Sequence, residues 1–132
     1  MSGIRSDYIE RMIAQLARAL ATLLGARAKP PEVIEETVAD VARRLLGLEY
    51  RVLLSADPAS TARLLGEALR IEVLARLVEE EAGLLADDAP ALAADRRAYA
   101  LALLELAATL PGPHHPEAAK RREHLTRGPA GA

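Results

Sequence analysis

The chain has 132 residues, a formal net charge of −2 and a composition that is 51% hydrophobic. This length fits one ordinary domain, and the near-neutral charge supplies no overall field that would attract nucleic acid or an anionic membrane. Cysteine is absent, which excludes disulfides, thiol catalysis and zinc–thiolate sites. Phenylalanine and tryptophan are absent as well, so leucine and alanine must fill the core. The composition therefore predicts an all-α domain, and the helix signals along the chain predict that it is built from antiparallel helical hairpins with about five helices.

The N-terminal region lacks the features of a signal peptide. Asp7, Glu10 and Arg11 stand where a signal peptide would have its apolar stretch. Nowhere does the chain contain about 18 consecutive apolar residues, the length that a membrane helix requires. These features predict a cytoplasmic protein with no membrane partner.

Two helices are predicted in the first third of the chain. The first has an apolar face at helical spacing, and it is expected to start at a cap on Ser6 or Asp7 and to stop at Gly25. Its apolar residues are Ile9, Met12, Ile13, Leu16, Leu20, Leu23 and Leu24. The second helix starts at the Pro30–Pro31 pair and ends near Leu46, before Gly47. The short connection predicts that these two helices form a hairpin.

The middle of the chain leaves two alternatives open. Residues 48–57 have no period and fit either a short helical turn or an extended link. Asp57 before Pro58 is a strong helix start, because an acidic cap precedes a proline in the first turn. Residues 58–86 then form either one helix or two helices separated at Gly66, and two are preferred.

The last strong helix, from about Ala91 to Leu110, has two apolar faces. One face consists of Leu92, Tyr99, Leu103, Leu106 and Leu110. Leu101 and Leu104 lie well away from it, and a helix that is apolar on two sides is either central or at an interface. Leu101 and Leu104 are therefore the candidate interface residues for self-association or for a protein partner.

The chain after this helix is predicted to be a tail without a core. Residues 1–112 form the helical domain, whereas residues 113–132 contain several prolines and glycines and many charges. Such a composition cannot bury enough apolar surface to order itself. The tail is therefore predicted to be disordered.

The N-terminal motif resembles that of a family of small, uncharacterised bacterial helical proteins. The similarity is carried by Asp7-Tyr8-Ile9, Arg11-Met12-Ile13 and Gln15-Leu16. The resemblance implies a helical hairpin followed by a C-terminal helix pair similar to a tetratricopeptide unit, and it implies no activity or site residues. In this chain the pair has no second copy at a 34-residue period, which is the repeat length of that unit. A lone unit must pack on the N-terminal hairpin or on another subunit.

The sequence does not contain the combinations of residues that a catalytic site or a metal site requires. No hydroxyl lies near a histidine in the pattern of a nucleophile and its base, and the glycines do not form a phosphate-binding loop. His114, His115 and His124 fall in the predicted tail, which offers no scaffold for a metal. The basic run from Lys120 is interpreted as a solvated segment rather than a nucleic-acid site. We therefore predict no catalytic residue, no metal and no cofactor.

Glu81 is the one internal polar residue that breaks an apolar pattern. Leu77 and Val78 lie one turn before it, and Leu84 and Leu85 lie one turn after it. It should therefore point into the apolar face and either pair with a base or lie at the edge of that face. The candidate bases are Arg70, Arg96 and Arg97.

The sequence thus favours a non-catalytic protein-interaction or assembly module, which includes a homo-oligomer. The alternative is a small-molecule or regulatory binding domain with a pocket near Glu81, for which Tyr8 and Tyr99 are the candidate walls. An enzyme is not predicted.

Overall fold

The structure is a computed structural model that describes the backbone of residues 2–128 and the side chains of residues 6–128. The prediction of an all-α domain is confirmed, and no strand occurs in the described range. Seven helices are present there, where about five were predicted, because two short helices lie in segments without an apolar period. The helices are α1 Ser2–Leu24, α2 Pro31–Leu46, α3 Tyr50–Ser55, α4 Pro58–Leu65, α5 Ala68–Leu85, α6 Pro90–Ala108 and α7 Ala118–Thr126.

Most helix boundaries follow from local sequence signals. The first residue of α2 is Pro31, and α2 stops at Gly47, whose φ of 73° places it in the left-handed region. The Asp57 side chain caps α4 by accepting a hydrogen bond from the Ser60 backbone N–H at 3.0 Å. Gly66, with φ of 82°, separates α4 from α5. The preference for two helices in this region is therefore confirmed.

The predicted start of α1 is wrong. Helix α1 begins at Ser2, so Ser6 and Asp7 lie inside the helix and do not cap it. Nothing in residues 2–6 breaks a helix except Gly3, and one glycine near a helix end costs too little to stop it.

Helix α5 is the centre of the domain. Of its 18 residues, 13 are buried, and it contacts α1, α2, α4 and α6. Helices α1 and α2 contact each other on one side of α5, while α6 packs along another side. The similarity of the α5–α6 pair to a tetratricopeptide unit stays a prediction.

The second apolar face of α6 is covered by the chain itself. Leu104 is only 4% exposed, and Leu101 is half-buried against the core. Leu104 lines one small enclosed space together with Leu16 of α1 and Ala118 of α7. The selection of Leu104 as an intermolecular interface residue is therefore corrected, because this side chain belongs to the core of the domain. The segment that covers it, residues 118–126, is too polar for its packing to be predicted from the sequence.

The prediction of a disordered tail also differs from the structure, at least through residue 128. Residues 118–126 form α7, which contacts α6 and buries Leu125. The apolar content of the segment gave no reason to expect this docking. Polar contacts with α5 hold the segment in place instead, as described below. The remainder of the predicted tail, residues 129–132, lies outside the described residues.

None of the helices in residues 2–128 combines the length and the apolar character that crossing a membrane would demand.

Candidate functional site

Glu81 is a fully buried carboxylate held by two donors from other helices. Its side chain has 0% exposure. The Tyr50 hydroxyl donates a hydrogen bond to Glu81 Oε1 at 2.5 Å, and Arg96 Nε donates to the same oxygen at 2.7 Å. The predicted ion pair with a base is thereby confirmed for Arg96. Glu81 Oε2 has no hydrogen-bond partner within the described part of the chain.

The same cluster ties α2, α3, α5 and α6 together. Arg96 also lies 3.5 Å from Glu35 Oε2, so one guanidinium of α6 is shared by carboxylates of α5 and α2. Burial, followed by the negative charge of Glu81, raises the pKa of Tyr50 well above its ordinary value. Tyr50 thus stays a neutral donor, and the cluster acts as a buried polar tie between helices.

The three residues that were expected to form a pocket do not share one. The Tyr99 hydroxyl lies 2.8 Å from Leu53 O, 2.9 Å from Ala56 O and 2.8 Å from Thr61 Oγ1, so it fastens α6 to the α3–α4 region. Burial raises its pKa. Tyr8 is half-buried against the core on α1. None of the cavities described below is lined by Glu81 or by either tyrosine.

A groove runs between α1 and α2 on the surface of the domain. It has a volume of about 230 Å³. We call it the α1–α2 groove, and its lining residues are Gln15, Arg18, Ala19, Thr22, Val41, Arg44 and Leu45. The α1 residues fall at helical positions i, i+3, i+4 and i+7, so they form one stripe along that helix.

Two guanidinium groups border this groove without an acidic partner. Arg18 and Arg44 are exposed, and neither forms an ion pair with any side chain in residues 6–128. The chain has no Asp or Glu between Arg11 and Pro31, so the part of α1 that lines the groove and the following loop contain no carboxylate. Between the arginines, Ala19 and Val41 supply a buried apolar floor.

A second feature involves residues 113–128, which we call the tail segment. Glu72 and Glu79 of α5 are buried, with 3% and 7% side-chain exposure. The Glu72 carboxylate accepts a hydrogen bond from the His115 backbone N–H at 2.6 Å and lies 2.5 Å from His114 Nδ1. Glu79 is paired with Arg121, whose Nε donates to Oε1 at 3.1 Å. Both buried carboxylates of this face are thus satisfied by the tail segment.

The hydrogen bonds of His114 define its protonation. Its Nδ1 faces the Glu72 carboxylate and its Nε2 lies 3.1 Å from Leu110 O, so both ring nitrogens face acceptors. Only the imidazolium donates to both at once. The hydrogen bond to Glu72 raises the pKa of His114, while burial and, to a smaller extent, Arg122 of α7 oppose this shift.

His115 behaves in the opposite way. Its ring is half-buried, and burial lowers its pKa despite the nearby carboxylates of Glu117 and Glu72. Two adjacent histidines of the tail segment therefore prefer different charge states.

The part of the chain that the structure describes holds no cluster of side chains that fits a metal ion. No group of three histidine, aspartate or glutamate side chains there has the placement that a metal ion needs. The hydroxyl of Ser60 donates to the capping carboxylate of Asp57 at 2.6 Å, which is a structural contact. The α1–α2 groove was not predicted, because Arg18 and Arg44 lie on different helices and local spacing does not indicate that they face each other.

No protein-family model, curated protein or solved structure matches this chain. The resemblance of its N-terminal motif to a family of small bacterial helical proteins stays a prediction. The function proposed next depends on the side-chain geometry alone.

Proposed function

We propose that the protein is a non-catalytic interaction module that binds an acidic amphipathic segment of a partner protein in the α1–α2 groove. The observation that supports this proposal is the pair of unpartnered guanidinium groups, Arg18 and Arg44, beside an apolar floor. A carboxylate pairs well with a guanidinium because the two groups form parallel hydrogen bonds. An apolar side chain of the same segment would fill the space over Ala19 and Val41.

The size and shape of the groove favour a protein segment over a small molecule. Small-molecule pockets usually enclose ~300–1,000 Å³ and bury most of the ligand. The α1–α2 groove has about 230 Å³ and lies between two helices at the surface. A groove between two helices is the usual receptor for a third helix, whose side chains at positions i, i+3 and i+4 enter it.

The alternative of a pocket near Glu81 has less support. The Glu81 side chain is fully buried, and its Oε1 already receives hydrogen bonds from Tyr50 and Arg96. A ligand would have to replace these contacts inside the core, at the cost of leaving an uncompensated buried charge.

Site-specific photo-crosslinking in cells tests the proposed groove. A photoreactive amino acid at Gln15 lies in the groove, and the same amino acid at Ala59 of α4 provides a control on another surface. We expect Gln15 to yield a discrete adduct whose crosslinked peptide is acidic. The double substitution Arg18→Glu and Arg44→Glu should reduce the adduct yield about tenfold, because two attractions become repulsions.

Two controls make this experiment decisive. Arg63→Glu changes an exposed arginine on α4 and should leave the adduct unchanged, and a thermal melt verifies that each variant is folded. Adducts that persist in the Arg18→Glu, Arg44→Glu protein, or equal labelling from Gln15 and Ala59, would contradict the proposal. An adduct between two copies of this chain would show that the groove binds a second copy of the chain and not a different protein.

A further inference from the structure

The tail segment is docked by charge more than by apolar contact. Helix α7 has nine residues, and Leu125 is its one buried residue. An isolated helix of this length is not stable in water, so contacts with the rest of the domain must hold it. Its position is fixed from α5, where Glu79 pairs with Arg121, Glu72 binds residues 114 and 115, and Arg76 lies 3.6 Å from Glu117.

Beneath the tail segment lies a surface that would make a groove if the segment were absent. Its walls come from three helices: Leu16 of α1, Glu72, Arg76 and Glu79 of α5, and Leu104 of α6. With the tail segment in place, only about 10 Å³ of space remains between these residues and the tail segment. We call this surface the tail groove. It combines an apolar base with the carboxylates of Glu72 and Glu79, while its one guanidinium, Arg76, is already paired with Glu80 of the same helix.

We propose that the tail groove is a docking site for a basic amphipathic helix of a partner protein, and that the tail segment occupies it within the same chain until the partner displaces it. The α7 helix shows the chemistry that fits: an arginine reaches Glu79, and a leucine four residues later is buried. Positions four apart lie on one helix face, so a single helix presents both groups. This proposal involves residues other than those of the α1–α2 groove and is independent of it.

The charge of the groove limits what replaces the tail segment. Any helix that replaced the tail segment would bury Glu72 and Glu79 again, and a buried carboxylate without a donor is strongly unfavourable. A neutral or acidic helix would not remove this cost, whereas a basic helix would. The occupant must therefore be cationic on the face that meets α5.

The tail segment is suited to exchange because α7 has one buried residue, Leu125, and because the other contacts with α5 are polar ones that another basic helix can supply. A short linked segment competes with an external helix at an effective concentration of about millimolar. Weakening one ion pair of the tail segment should thus give an external helix access to the groove.

Peptide binding to the full-length chain tests this inference. The probe is a fluorescein-labelled peptide with the sequence of residues 113–128, and binding is measured by anisotropy. The variant Arg121→Glu places a carboxylate against Glu79 and should release the tail segment. We expect the probe to bind Arg121→Glu about tenfold more tightly than it binds the wild type, and to bind more weakly as salt increases.

The matched control is Lys120→Glu, which makes the same charge change one residue earlier. Lys120 is exposed and forms no ion pair in the described part of the chain. This variant should bind the probe as the wild type does. A probe that itself carries Arg121→Glu should not bind any of the proteins.

Hydrogen exchange provides a second measurement in case Arg121→Glu is poorly folded. In the milder variant Arg121→Ala, the amides of residues 118–126 should exchange faster than in the wild type, while those of α5 stay protected. Unchanged protection of residues 118–126, or equal affinity of the probe for wild type and Arg121→Glu, would overturn the proposal.

Discussion

At the scale of single residues, the contacts of Glu81 explain how a charge is tolerated at the centre of the core. Tyr50 and Arg96 both donate to Oε1, and the guanidinium offsets the negative charge. The ion pair adds little net stability, since apolar residues of similar volume at these positions would often give a similar free energy of unfolding. Its main effect is that removal of Arg96 leaves the buried Glu81 carboxylate without a cation, whereas Arg96 also lies near Glu35.

Arg96→Met should lower the free energy of unfolding by about 3 kcal/mol, because it leaves the Glu81 carboxylate buried without a cation. Adding Glu81→Gln should recover most of the loss, since a neutral amide still accepts the hydrogen bond from Tyr50. Chemical denaturation measures both effects. Arg97→Met is the control, because Arg97 forms no ion pair within residues 6–128. Equal losses of unfolding free energy in Arg96→Met and Arg97→Met would contradict the role of Arg96 as the cation that compensates Glu81.

The sequence allowed part of this cluster to be predicted. The helical wheel places Glu81 in an apolar face, which demands a basic partner, and Arg96 was among the candidates. Tyr50 could not be predicted as a partner, because it lies in a segment without periodicity and is 31 residues away from Glu81 along the chain. Long-range hydrogen bonds leave no trace in local spacing.

At the scale of helices, α6 and α7 show that an apolar pattern alone does not identify which segment packs against a helix. The two faces of α6 correctly indicated that the helix has neighbours on more than one side. The choice between an intramolecular and an intermolecular neighbour depended on α7, whose composition is charged. Its docking is determined by Glu72 and Glu79, which are about 40 residues away in sequence and look like ordinary surface glutamates.

Leu104→Glu should abolish or strongly destabilise the fold, with a loss of at least about 3 kcal/mol, because it introduces a charge among apolar side chains. Leu64→Glu is a matched control on α4, where the leucine is 61% exposed. A thermal melt followed by circular dichroism measures the difference. If Leu104→Glu melts like the wild type and Leu64→Glu does not, the placement of α7 over α6 is wrong.

At the scale of the whole molecule, the tail segment makes stability depend on pH. The raised pKa of His114 means that the folded protein holds this proton more tightly than the unfolded chain does. The contribution is fully present below the ordinary histidine value of about 6.5 and is lost as the pH rises through the raised pKa. His115, whose pKa is lowered, acts in the opposite direction and destabilises the folded state in acid.

A comparison with His114→Gln isolates the first of these effects. The melting temperature of the wild type should exceed that of His114→Gln by more at about pH 5.5 than at about pH 8.5. Glutamine cannot become charged, so the variant loses the dependence that is specific to this residue. His124→Gln changes an exposed histidine of α7, and its melting temperature should match that of the wild type at both pH values. An equal difference in melting temperature between wild type and His114→Gln at the two pH values would refute the assignment of a raised pKa to His114.

The central position of α5 also has a consequence for synthesis of the protein on the ribosome. Helix α5 lies in the middle of the chain, and its buried faces meet both earlier helices, α1 and α2, and the later helix α6. While the chain is being translated, the first helices can cover one side of α5, but its other apolar side stays bare until residues 90–108 have emerged. Nascent chains with bare apolar surface aggregate easily. A translational pause before α6 should therefore lower the yield of folded protein more than a pause of equal length after α6.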